Sequence, residues 1–127
     1  MSQYNYKMAL SDFQAARQRA ALEGVIARVS GRSNDLLSYD DVARRLKLRA
    51  QVERGIKTIP VDAIVGSVGR CTEFTRTFLP RNLNDQERWA RVKSVFMDPE
   101  GASLPPIEVY QVGDVYFVLD GNHRVSI

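Results

Sequence analysis

The chain has 127 residues, 44% of them hydrophobic and 26% charged, with a formal net charge of +3. This length fits one folded domain, and the composition excludes a disordered or collagen-like chain. No apolar run reaches the roughly 20 residues of a membrane helix and the N-terminus lacks the apolar core of a signal peptide, so we expect a cytoplasmic protein without membrane contact. One cysteine and one histidine are too few for a disulfide or a structural zinc site.

Residues 1–56 are predicted to form a helical extension. Apolar residues spaced at helical intervals predict a first helix over residues 11–29 with one buried stripe. The stripe consists of Leu22, Val25, Ile26 and Val29.

A second helix is predicted to begin after Ser38. The apolar residue directly before Ser38 has the position of a hydrophobic staple. Asp41, three positions after Ser38, has the position of a capping acid. Gly55 is the predicted end of this helix, because glycine readily adopts the left-handed conformation that terminates helices. Residues 1–57 carry 11 Lys and Arg against 6 Asp and Glu, so the basic helices of this half could bind DNA.

Residues 57–127 are predicted to combine strands with helices. β-Branched side chains within residues 59–65 predict a first strand of about five residues, and the glycines of residues 66–70 predict a loop after it. Thr72 is the candidate cap of a short helix. Asn84, with a glutamate three positions later, predicts the start of a longer helix.

A β-hairpin is predicted next. Residues 107–110 alternate apolar and polar side chains, a Gly-Asp turn follows, and residues 115–119 return as a strand that is apolar on both faces. Such a strand fits the interior of a sheet. The predicted fold class is α+β, with N-terminal helices attached to a small mixed β-sheet. Residues 125–127 are predicted to begin a helix that the given sequence truncates.

The last predicted strand runs directly into a turn that carries polar side chains. Its residues are Asp120, Gly121, Asn122, His123 and Arg124. The N–H groups of a first helical turn have no acceptor within the helix and attract anions such as phosphate. Gly121 leaves room for an anion, Arg124 could hold two of its oxygens, and His123 could donate a hydrogen bond or carry a proton. Asp120 fits a base that accepts a hydroxyl proton, a metal ligand, or a group that orients the histidine. A solvated turn without a ligand is the alternative interpretation.

Residues 57–127 resemble the ParB/sulfiredoxin-like superfamily. The resemblance rests on the predicted first strand followed by Arg70, on Pro105 to Val109 at the opening of the hairpin, and on Tyr116 to Arg124 entering a helix. It implies the small mixed sheet of that superfamily, whose members include ParB, sulfiredoxin and ADP-dependent serine kinases.

The resemblance also implies a nucleotide as the ligand. The family's phosphate-binding turn falls on Gly121, Asn122, His123 and Arg124, and Arg70 matches an arginine that assists it. The expected ligand is ATP, ADP or CTP, with or without Mg²⁺. Sulfiredoxin has a catalytic cysteine where this chain has Asn122, which argues against sulfinic-acid reduction. ParB has Gly-Glu-Arg-Arg in this turn, which argues against CTP-driven DNA clamping.

Three functions therefore stay open at the level of the sequence. Nucleotide binding through the phosphates is the first. The resemblance to the serine kinases implies a phosphotransferase or NTP hydrolase as the second, with Asp120 as the base and His123 beside it. The third is a DNA-associated, partner-binding module. A homodimer could cover an open edge of the sheet.

Overall fold

The computed structural model describes residues 3–48, 51–98 and 104–127, and it confirms an α+β fold with N-terminal helices and a small mixed four-stranded sheet. The helices in these ranges are α1 (Gln3–Ser30), α2 (Tyr39–Leu46), α3 (Gln86–Met97) and α4 (Asn122–Ser126). The strands are β1 (Leu37–Ser38), β2 (Ile64–Ser67), β3 (Glu108–Val112) and β4 (Val115–Asp120).

The sheet has the strand order β1-β2-β4-β3. The pairs β1–β2 and β2–β4 are parallel, whereas β3 and β4 form the predicted antiparallel hairpin. Tyr116, Phe117 and Val118 of β4 are buried, as expected for a strand with a neighbour on each side. The core packed on this sheet contains Leu36, Ile64, Phe74, Phe78, Tyr116 and Val118.

Strand β1 was not predicted, and it connects the N-terminal segment to the sheet. Leu37 pairs with Gly66 of β2. A Cβ atom on Gly66 would lie 2.2 Å from the Leu37 carbonyl oxygen and 2.6 Å from Cδ1 of Phe117, so only glycine allows this close approach. The N-terminal segment is therefore packed into the same sheet as the residues after it.

Strand β2 begins later than the sequence predicted. Residues 59–63 lie outside it, because Val61–Ala63 form a short 3₁₀ turn whose Ala63 N–H donates to the Pro60 carbonyl at 3.1 Å. Proline has no N–H for a strand ladder and its fixed φ suits the start of a helical turn. The buried strand runs instead through Gly66 and Ser67, which the prediction had placed in the following loop.

Helix α1 is longer than predicted and buries a different face. It starts at Gln3, and the four residues of the predicted stripe are all exposed. Its buried residues are Ala9, Phe13 and Ala20. Phe13 meets Trp89 of α3 edge-on, with 5.6 Å between the ring centroids. The period of the pattern was correct, but the docking of α3 selects which face is buried, and a single-helix pattern carries no information on that partner.

Helix α2 has the predicted cap and an earlier end. The Asp41 N–H donates to Ser38 Oγ at 3.4 Å, which confirms Ser38 as the N-cap. The helix stops at Leu46, because Lys47 is in the left-handed conformation with φ of 55°. The predicted end at Gly55 is wrong.

The segment that follows Thr72 is not the predicted short helix. Phe74 and Pro80 form an antiparallel bridge, and the Phe78 N–H donates to the Thr75 carbonyl at 2.8 Å in a tight turn. The longer helix is confirmed as α3, but Asn84 lies in a 3₁₀ turn before it and the N-cap is Asp85, without a side-chain cap bond. Thr72 therefore caps no helix, and Asn84 is not the cap of α3.

Candidate functional site

The carboxyl ends of β1, β2 and β4 lie at one edge of the sheet, because neighbouring pairs among these strands are parallel. In sheets with parallel strands, ligands bind in crevices outside this edge. The end of β2 and the residue after it contact β4 and the turn that follows β4: the Val68 N–H donates to the Val118 carbonyl at 2.8 Å, and Ser67 Oγ donates to Asn122 Oδ1 at 2.8 Å. The structure thus brings the predicted turn and the segment leading to Arg70 together.

Gly121 gives the turn its backbone shape. Its φ is 109°, and a Cβ atom there would lie 2.6 Å from Cγ2 of Ile107. The Val125 N–H donates to the Gly121 carbonyl at 3.0 Å, so the N–H groups of residues 122–124 precede the first bond of α4 and have no acceptor within it. The predicted room for an anion at Gly121 is partly taken by Ile107.

Asn122 is a structural residue in this arrangement. Its side chain is buried and bonds Ser67, which holds the turn against the end of β2. A contact between a ligand and Asn122 would therefore involve its backbone N–H rather than its amide side chain.

Arg124 is engaged by groups of the chain itself. Its Nη1 donates to the carbonyl oxygens of Pro105 at 2.8 Å and Pro106 at 3.0 Å, and its Nη2 donates to Asp120 Oδ2 at 3.0 Å. Only 17% of its side chain is exposed. In this structure the guanidinium braces the segment that leads into β3, and it is not open to a phosphate as the sequence predicted.

Asp120 lies at the exposed rim of the turn. Its side chain is 70% exposed and pairs with Arg124. The carboxylate could reach a substrate in solvent, but in this structure one of its oxygens accepts a hydrogen bond from Arg124 Nη2. The predicted catalytic role of Asp120 stays a prediction.

His123 is the residue of the turn with unused hydrogen-bonding capacity. Both ring nitrogens, Nδ1 and Nε2, are buried and have no partner among the described residues. The ring meets the edge of Phe74, with 5.2 Å between centroids. Native proteins pair nearly all buried polar atoms, so an unpaired set is a position where a ligand or water is expected.

Burial and neighbouring charges set the protonation of His123. Burial lowers the pKa of His123 below 6.5 and is the largest influence. Asp85 and Glu73 raise that pKa, whereas Arg88 and Arg70 lower it. The imidazole is therefore neutral near pH 7, with one nitrogen as a donor and the other as an acceptor.

Arg70 belongs to the same neighbourhood as His123. Its Nη1 donates to both carboxylate oxygens of Glu73, at 2.9 and 3.2 Å, and half of its side chain is exposed. The predicted set is therefore divided in two: Arg70 is an electrostatic neighbour of His123, and Arg124 is paired with Asp120.

Asp85 is a neighbour of His123 that the sequence does not indicate. Its Oδ2 is buried without a partner among the described residues, and its charge acts on His123. In the sequence Asp85 reads only as part of a helix start, and only the packing of α4 against α3 brings it near the imidazole.

Comparison of the chain with family models, curated proteins and solved structures finds no match. The resemblance to the ParB/sulfiredoxin-like superfamily stays a prediction, as do the DNA-binding and homodimer alternatives. Within the described ranges no helix is both long and apolar enough to cross a bilayer. Nor do three or more His, Cys, Asp or Glu side chains of those ranges gather in a way that could hold a metal ion.

Proposed function

We propose that the chain binds the phosphate of a nucleotide at the carboxyl edge of β2 and β4. The observation that carries this proposal is the pair of buried ring nitrogens of His123 in the first turn of α4, which have no partner among the described residues. A neutral imidazole can donate one hydrogen bond to a phosphate oxygen without the cost of burying a second charge.

Two further groups support a phosphate at this place. The backbone N–H groups of residues 122–124 precede the first hydrogen bond of α4, and such groups bind anions. Arg70 supplies the positive charge, and a phosphate would compete with Glu73 for its exposed guanidinium. Arg124 acts as the brace of the turn and is not the arginine that holds the phosphate.

Titration calorimetry with ATP, ADP and CTP, each with and without Mg²⁺, tests the proposal. Arg70→Gln should lower the affinity for the nucleotide by about tenfold or more, because it removes a charge-assisted hydrogen bond. His123→Gln keeps a donor of similar size but alters its position, and it should weaken binding by a smaller factor. Arg54→Gln removes an exposed arginine outside the site and should leave the affinity unchanged.

Two results would contradict the proposal. One is the absence of binding to the unaltered chain with all three nucleotides. The other is an affinity that Arg70→Gln and Arg54→Gln lower equally, since this would indicate a general attraction to the net charge.

A further inference from the structure

A cavity lies away from the sheet edge, between the second half of α1 and the segments around residues 34 and 81. Its volume is about 420 Å³, which is within the range of roughly 300 to 1,000 Å³ of small-molecule sites. Its lining on α1 includes three alanines and Gly24. A Cβ atom on Gly24 would meet nothing closer than Nδ2 of Asn34 at 4.0 Å, so small side chains keep this space open.

The lining of this cavity is strongly basic. Its arginines are Arg17, Arg28, Arg32 and Arg81, and Asp35 is the one acid among the described residues that line it. Asp35 is already paired with Arg81 at 2.9 Å. We call this feature the arginine cleft, and its charge exceeds what Asp35 can balance.

Three of the four guanidinium groups have capacity for a ligand. Arg28 and Arg32 are exposed and have no carboxylate partner in the described part of the chain. Arg17 donates from Nη1 to the Arg81 carbonyl, but its Nε is a buried donor without a partner among the described residues. The positively charged guanidinium groups around this cavity repel one another, and an anion bound between them offsets that repulsion.

We propose that the arginine cleft binds a small molecule that carries a di- or triphosphate group. Guanidinium groups match phosphate oxygens with paired N–H donors, and several arginines around one cavity fit a compact group with several negative charges. The cleft shares no residue with the site of Arg70 and His123, so this proposal does not depend on the nucleotide proposal.

Titration calorimetry with inorganic tripolyphosphate tests the cleft, in an Arg70→Gln background that weakens the other site. Gly24→Glu places a carboxylate among the arginines and should lower the affinity by about tenfold or more. Gly24→Ala, a change at the same position without charge, should leave it unchanged. Circular dichroism establishes that both variants are folded.

A second pair of variants keeps the test decisive if Gly24→Glu fails to fold. Arg28→Gln with Arg32→Gln removes two cleft charges, and Arg19→Gln with Arg45→Gln removes two exposed arginines elsewhere. The double variant in the cleft should lose most of the affinity for tripolyphosphate, and the double variant elsewhere should keep it. Equal losses in the two double variants, or no binding to the parent chain, would overturn the proposal.

Two further ligands test the class of molecule. Citrate carries three carboxylates, and affinity for citrate equal to that for tripolyphosphate would overturn the phosphate assignment. The assignment to a small molecule would be overturned if single-stranded DNA bound more tightly than tripolyphosphate and this binding were lost in Arg28→Gln with Arg32→Gln. Weaker binding of both is the expected result.

Discussion

Gly121 is a glycine for two independent physical reasons. Its φ of 109° is in a region that residues with a side chain rarely adopt, and Ile107 occupies the space where a Cβ atom would lie. A glycine in a strand-to-helix turn suggests the close approach of a ligand, but at Gly121 the Ile107 side chain is the group that lies close.

We predict that Gly121→Ala costs more stability than an ordinary left-handed glycine does. Gly113 is the matched control, because its φ is 59° and no atom of the described residues lies within 4 Å of an added Cβ. Gly113→Ala should cost about 1 to 2 kcal/mol, and Gly121→Ala should cost more because strain and collision with Ile107 add. Urea unfolding measures both, and equal losses would contradict the described packing of Ile107.

His123 leads to a prediction about pH. Burial holds its pKa below 6.5 in the folded chain, so as the pH falls through about 6.5 the unfolded chain binds the proton first and the folded state loses stability. The loss continues down to the folded-state pKa and is absent well above about pH 6.5. The charges that face the ring are Asp85, Arg88, Glu73 and Arg70.

Urea unfolding at about pH 7.5 and about pH 5.5 measures this effect. His123→Phe removes the titrating group while keeping a ring against Phe74, so its stability should fall less between the two pH values. Effects of pH that are common to both proteins cancel in the comparison. An equal fall in the two proteins would show that His123 is protonated as readily in the folded chain as in the unfolded one.

At the scale of elements, the sequence predicts what local residues decide. The cap at Ser38 and the hairpin of β3 and β4 depend on residues close in the chain, and both are confirmed. Strand β1 has two residues and exists through its pairing with β2, so no local pattern could indicate it. The buried face of α1 likewise depends on α3, which is distant in sequence.

We predict that two apolar residues of α1 differ strongly in their effect on stability. Phe13 is fully buried against Trp89 and Leu22 is 60% exposed. Phe13→Ala should cost about 3 to 5 kcal/mol, and Leu22→Ala should change stability by about 0.5 kcal/mol or less. Denaturant unfolding measures both. A larger loss in Leu22→Ala would show that the predicted stripe is the packed face after all.

The same division applies to the candidate site. Its location at a strand-to-helix turn was predictable, because the turn is contiguous in sequence. The tasks of its residues were not: Arg124 is held by carbonyls 18 and 19 residues away, and the charges around His123 come from residues 70 to 88. Only the folded chain brings those partners together.

At the scale of the whole molecule, our two proposals place an anion at two separate positions. One is the sheet edge, where parallel strands end and the ring nitrogens of His123 have no partner among the residues that the structure describes. The other is the arginine cleft on α1, on residues that the sequence analysis did not single out. The net charge of +3 favours anions in general, so a measurement must report position as well as affinity.

Amide correlation NMR spectra of the full chain, recorded while ADP is added, give that position directly. We predict saturable shifts of the Val68, Gly121 and His123 amides, with affinity for ADP that falls in Arg70→Gln. Shifts confined to Gly24 and Asn34 would mean that ADP occupies the arginine cleft alone. That result, or the absence of any saturable shift in the turn after β4, would contradict the assignment of this turn as the nucleotide-phosphate site.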